Sequence, residues 1–285
     1  MASDHQLALT ERVPVPASPG APLVVLVHGS LDRAGSFART MRRLDDLHTV
    51  AYDRRGYHRS RHLTPVHDTL DGHIDDVLAV IDGRRTVLVG HSYGGAIALG
   101  ATLRSGGPGP ILAVAAFEPP MPWLGSWANR PRTATTHRPD EKDPALMAEH
   151  FFRRMVGESA WDRLPEGTKQ ARRDDGPALA AEFAAIRTTE PPFDVSALAV
   201  PAVFGQGSES LPHHRASVAW LVAHAPDAEL IEIEGAGHGA HLTHPDAFSR
   251  FVRAAVARTG PAAAGSRPPG TARRVRTGGR QRTDG

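Results

Sequence analysis

Apolar and polar positions along this chain fall into two alternating patterns. The runs 23–27, 49–52, 86–89, 111–117, 201–206 and 229–234 are short and rich in β-branched or small apolar residues. Runs of that length, bounded by turn residues, mark strands, and a continuous one such as Leu23–Val27 suits a strand buried on both faces. Between them lie segments with apolar residues three and four apart, the period of a helix with one buried side. Leu70, Ile74, Val77, Leu78 and Ile81 place such a helix over 70–82, and further helices are expected over 36–47, up to Arg104, and over 213–225 and 245–258. Strand and helix in alternation predict an α/β fold on a doubly wound, mostly parallel sheet.

The alternation fails between residues 120 and 195. Glu118-Pro119-Pro120-Met121-Pro122-Trp123 opens a stretch of prolines and charges, with helical pieces expected at 144–156 and 177–186. This predicts a helical lid, 120–195, inserted into a core made of 1–119 and 196–257. A chain of 285 residues has room for one large domain with such an insertion.

Charge divides the chain differently. The formal net charge is +2, yet 258–285 holds seven arginines against the single acid Asp284, which leaves about −4 on the rest. Rich in Pro, Gly, Ala and Thr, this tail is expected to be disordered and solvated. It has no aromatic residues to stack on bases, which argues against nucleic acid as a partner. The absence of cysteine excludes disulfides, thiolate metal sites and a cysteine nucleophile. No leader pattern and no apolar run of membrane-spanning length is present, so a cytoplasmic protein with a small-molecule substrate is expected.

The candidate chemistry centres on Gly90-His91-Ser92-Tyr93-Gly94, which follows an apolar run and precedes an Ala-rich segment. Strand, Gly-x-Ser-x-Gly and helix make a nucleophile elbow, a turn so tight that the serine takes a strained backbone and its neighbours two away are glycine. A serine hydroxyl needs a base, and His238, in a glycine-flanked loop after the last strand, is the candidate. His91 adjoins the nucleophile but is expected to point away from it. The amide of Tyr93 is one oxyanion donor, and the His28-Gly29 loop supplies the second, Ser30, with Leu31 as the alternative. His28 itself is expected to hold that loop. For the acid that orients His238 there are two candidates. Glu118 ends a wholly apolar run, where a carboxylate is costly without a partner; Glu209 lies in the loop after 202–206. Glu118 is preferred and Glu209 is the alternative. Trp123, Trp127 and Phe152 are candidates for an apolar substrate pocket, or equally for the lid's own core. The histidines 238, 241 and 244 lack the His-Glu-x-x-His spacing of zinc hydrolases, and no metal or cofactor is expected.

Taken together, the His28-Gly29 loop, Asp53-Arg54-Arg55-Gly56-Tyr57, the elbow at 90–94, the insertion and Gly237-His238 resemble the α/β-hydrolase superfamily over nearly all of 20–257. Glu118-Pro119-Pro120 is similar to the Glu-Pro-Pro of small, lidded bacterial hydrolases, and dehalogenases of one subgroup carry their catalytic glutamate at this strand end. Ser210 stands where most members carry the acid. With serine at the elbow, in place of the aspartate of dehalogenases and epoxide hydrolases, the resemblance implies hydrolysis of an ester, thioester or lactone through an acyl-enzyme. Amide or carbon–carbon cleavage comes second. The rival class is a non-catalytic ligand-binding protein that uses the same pocket.

Overall fold

The computed structural model describes residues 6–16, 20–107, 109–128, 143–186, 190–260 and 275–276. Their strands are β1 (Leu9–Arg12), β2 (Leu23–Val27), β3 (Thr49–Tyr52), β4 (Thr86–His91), β5 (Ile111–Phe117), β6 (Ala202–Gly207), β7 (Ala228–Ile233) and the two-residue β8 (Val275–Arg276). They form one sheet in the order β1-β3-β2-β4-β5-β6-β7-β8. Only the edge pairing of β1 with β3 is antiparallel. The parallel register sets Val27 beside Gly90, His91 beside Phe117, Phe117 beside Gly205 and Gly207 beside Ile233. The carboxyl ends of the central strands therefore fall together, and the residues that follow each strand share one rim.

Eleven α-helical segments are described: α1 (Ala38–Met41), α2 (Leu70–Ile81), α3 (Tyr93–Ser105), α4 (Gly125–Ala128), α5 (Pro144–Val156), α6 (Glu158–Asp162), α7 (Glu166–Asp174), α8 (Gly176–Ile186), α9 (Pro212–His224), α10 (Ala240–Thr243) and α11 (Pro245–Ala257). Side chains alternate across the strands and build two apolar layers. Val25, Val27, Leu88 and Phe204 pack against Ile74, Val77, Ile97, Val218 and Leu221 of α2, α3 and α9. Val24, Leu26, Val89 and Phe117 pack on the other side against Met41, Phe248, Phe251 and Val252 of α1 and α11. Each such side chain, wholly buried, contributes about 1.5–3 kcal/mol. Among the described residues no helix is long and apolar enough to cross a membrane.

The helical segments α4 to α8 lie between β5 and β6. A third apolar cluster joins Met147, Ala148, Ala178 and Leu179 of this insertion to Leu31 and Tyr57 in the loops after β2 and β3. Residues 129–142 and 187–189 of the expected lid lie outside the described residues, as does most of the expected tail. Arg258, counted with that tail, instead caps α11 and pairs with Asp227 and Glu229.

One expected helix is corrected. Over 36–47 the chain forms a 3-10 turn, Ala34–Phe37, and the single turn α1, then continues through Arg43 N–H to Thr40 O, Leu44 N–H to Met41 O and Leu47 N–H to Leu44 O. Phe37, Met41, Leu44 and Leu47 are all buried, so three- and four-residue spacing was met by tighter, interrupted winding.

Candidate active site

β4 ends at His91, and Ser92 turns the chain into α3 with φ 54° and ψ −125°. That left-handed backbone is strained for a non-glycine residue and is held by Ser92 N–H to Phe117 O at 2.8 Å and Gly95 N–H to Ser92 O at 2.7 Å. A side chain on Gly90 would strike the backbone of Gly94, and one on Gly94 would strike Val27 O and His28 O. Both glycines are required by close approach, as the elbow motif implies. The amide of Tyr93 is the first of α3, where helix geometry leaves N–H groups without internal partners.

Glu118, the first residue past β5, is wholly buried and also has a positive φ of 47°. Its Oε1 accepts the Gly207 N–H at 2.8 Å and its Oε2 accepts from His238 Nδ1 at 2.7 Å. A carboxylate only accepts, so His238 carries a proton on Nδ1. Glu209 is exposed, and its amide is bound to Ala236 O at 2.9 Å. The structure thus brings Glu118, and not Glu209, to His238. Ser210 is buried with its Oγ against Gly207, the residue whose amide holds Glu118. The Ser92 hydroxyl makes no hydrogen bond to His238 among the described residues; such contacts are often loose before substrate binds.

Two further histidines frame His238, His91 and His214, and neither has a role at His238 that is legible from its sequence position. His91 Nε2 donates to the His238 carbonyl at 2.7 Å and so fixes the loop. Burial first, then the charges of His241 and His238, push its pKa well below the ordinary value, so it stays neutral. His214 of α9 stacks on the His238 ring at 4.2 Å and 17°. Burial likewise holds it far below its ordinary pKa. Adjacent basic residues in a helix carry no signal of such stacking. Beneath them, His241 Nε2 meets Asp32 Oδ2 at 3.1 Å. Burial opposes the Asp32 charge, but the hydrogen bond to His241 and the charges of His241, His28 and His91 together outweigh it and hold the carboxyl below its usual range.

The loop after β2 lies against the nucleophile, since a Cβ on Gly29 would come within 2.9 Å of Ser92 Cβ. Arg54 N–H donates to His28 Nε2 at 3.0 Å, so His28 must carry its proton on Nδ1 and give it to Gly29 O at 2.8 Å. Burial, then the Arg54 charge, lower the His28 pKa to about 3. His28 therefore holds the loop as a neutral ring. Ser30 follows, half-buried, and Leu31 takes φ 54°.

The three aromatic candidates separate. Trp123 borders a cavity of about 30 Å³ with Tyr93, Ala96 and Ile186. Trp127 donates from Nε1 to Ser217 Oγ at 2.6 Å and lies edge-on to His213 at 4.7 Å, beside the histidine that covers His238. Phe152 packs on Trp161 within the insertion and under the Arg172 guanidinium, 4.9 Å from its ring. A larger cleft of about 420 Å³ runs outside α2 and α3 and touches neither Ser92 nor His238. Histidines 238, 241 and 244 do not converge; donor atoms lie within 4.8 Å in two other groups, Asp32–His91–His241 and Glu118–His214–His238.

Over 129 residues the chain is 30% identical to the lipase LipV of Mycobacterium tuberculosis, a match that covers 44% of this chain and 48% of that protein. The chain thus spans about half the length of this curated relative. The enol-lactonase of Burkholderia xenovorans LB400 superimposes with a TM-score of 0.68 at 21% identity, over 88% of this chain and 96% of that one. A thermophilic esterase from Thermogutta terrifontis gives 0.65 at 17% identity, over 89% and 93%. These two show a shared fold. The sequence profile of the Alpha/beta hydrolase family matches residues 24–251, and the chain belongs to that family.

Proposed function

We propose that this protein is a serine hydrolase that cleaves a small or medium-sized ester, thioester or lactone through an acyl-enzyme. The observation that carries the reading is the bond from His238 Nδ1 to the buried Glu118 carboxylate, on the same sheet rim as the strained Ser92. In this reading His238 Nε2 takes the Ser92 proton as Oγ attacks the substrate carbonyl carbon. The oxyanion is met by the amides of Tyr93 and Ser30, each worth about 3 kcal/mol of barrier. His238 then returns the proton to the leaving oxygen or sulfur. Water, deprotonated by His238, releases the acid and restores Ser92. Glu118 keeps His238 in the tautomer this requires and stabilises its cationic form.

The cavity of about 30 Å³ beside Tyr93 and Trp123 is apolar, and neither Ser92 nor His238 lines it. Names among proteins of this fold, an enol-lactonase and an esterase, support ester and lactone substrates. The test is turnover of p-nitrophenyl acetate, p-nitrophenyl butyrate and simple lactones by the wild type and by Ser92→Ala and His238→Ala. Hydrolysis by the wild type and loss of nearly all of it in both folded variants is expected. Equal turnover in all three would refute the proposal.

A further inference from the structure

We infer that the helical insertion sets the oxyanion loop through two buried arginines, which makes Glu182 and Arg172 positioning residues; this rests on the serine-hydrolase reading above. For the Ser30 amide to face Ser92, the carbonyls around it must turn away and find donors. Arg54 supplies two of them, from Nε to His28 O and from Nη2 to Gly29 O, each at 3.0 Å. Arg172 of α7 supplies the third, from Nη1 to Leu31 O at 2.9 Å. Leu31 itself sits in the left-handed region, a conformation that persists only where the surroundings hold it.

Arg54 is a core residue, but its countercharge is not. Glu182 of α8, wholly buried, meets Arg54 Nη2 at 2.5 Å. Burial works against the Arg54 charge, but Glu182, together with the surrounding Tyr57, Tyr93 and Tyr52, more than offsets it and keeps the guanidinium protonated. A buried ion pair adds little net stability over apolar packing of the same volume, and the insertion already has an apolar contact in Met147, Ala148 and Leu179 against Leu31. What the charges add is geometry. With the insertion docked, three loop carbonyls are tied down; with it lifted, Arg172 leaves and Arg54 loses its partner. The oxyanion loop is therefore in order only when the insertion is closed, which links turnover to closure.

The test uses the full chain and compares wild type with Glu182→Ala, Glu182→Asp and Arg172→Met. Three readouts are needed: kcat and KM on p-nitrophenyl butyrate, the Ki of an alkyl trifluoromethyl ketone that forms a tetrahedral oxyanion adduct, and thermal unfolding. Expected are a fall in kcat of at least about thirtyfold for Glu182→Ala and Arg172→Met, KM within about threefold of wild type, and a Ki that rises in step with the loss of kcat/KM. Glu182→Asp should recover part of the activity, and added formate should restore part in Glu182→Ala but none in Arg172→Met. Wild-type kcat in both variants would overturn the inference, as would a change in KM alone. Loss of cooperative unfolding in all the variants would also overturn it, because the contacts would then serve the fold. A wild type that neither hydrolyses ester nor binds the ketone would bring down the serine-hydrolase reading itself.

Discussion

In β2 and β4 the side chains of Val24, Val25, Leu26, Val27, Val87, Leu88 and Val89 have no exposed surface and pack in the two apolar layers. The insertion meets the core through apolar contacts too, but adds charges: Arg54 with Glu182, Arg61 with Asp175, and Arg172 with Leu31 O. Apolar burial stabilises without regard to direction, whereas a buried ion pair roughly breaks even in stability but fixes orientation. The sheet is thus built to persist and the insertion to dock in one register. The candidate triad belongs wholly to the first region, and the order of its oxyanion loop depends on the second.

The largest effect should fall where the rigid region meets chemistry. Glu118→Gln should lower kcat by about a thousandfold or more, because the amide no longer enforces the Nδ1–H tautomer of His238. Glu209→Gln should leave kcat unchanged. Ester kinetics on the pair decide the point, and equal loss in both would break the assignment.

The two regions should also come apart in stability. Leu26→Ala in the centre of the sheet should lower the global unfolding free energy by about 2–5 kcal/mol in urea titration. Arg61→Ala removes donors from the buried Asp175, whose pKa burial already raises. It should speed amide exchange across 144–186 with little change in the global transition. A global loss from Arg61→Ala as large as that from Leu26→Ala would merge the two regions into one cooperative unit.

The smallest predicted effect lies at their boundary. His73 packs edge-on to Tyr93 at 5.6 Å, and burial, then the Arg54 charge, push its pKa well below the ordinary value. The unfolded chain binds a proton here below about pH 6.5 and the folded protein does not, so stability falls as pH drops through that value. The slope is about 1.4 kcal/mol per pH unit for one such group. His73→Phe should flatten the dependence of unfolding free energy between pH 6 and 5 by about that amount. An unchanged slope would show that His73 is protonated in the folded state.

Legibility in the sequence follows the same division. Strand Ile111–Phe117 and helix Pro144–Val156 emerge with the bounds read from the apolar pattern, because burial on a fixed period leaves its mark on composition. β1, Leu-Thr-Glu-Arg, is mostly exposed at the sheet edge and left no such mark. Ser92 and His238 were readable because the elbow and the last loop need glycines around them. Glu118 was readable as a charge at the end of an apolar strand, but choosing it over Glu209 required the hydrogen bond to His238. Arg54, Arg172, Glu182 and His214 act through partners between 24 and 141 residues away, and pairwise charge at such separations has no local pattern.

The central claim, that Ser92 is the activated nucleophile of this site, is tested most directly by covalent labelling. The folded protein is treated with an alkyl fluorophosphonate, digested and analysed by mass spectrometry. The account predicts one phosphonyl adduct on Ser92, absent in Ser92→Ala and formed far more slowly in His238→Ala. Folded protein with no adduct, or with the adduct on another residue, would contradict it.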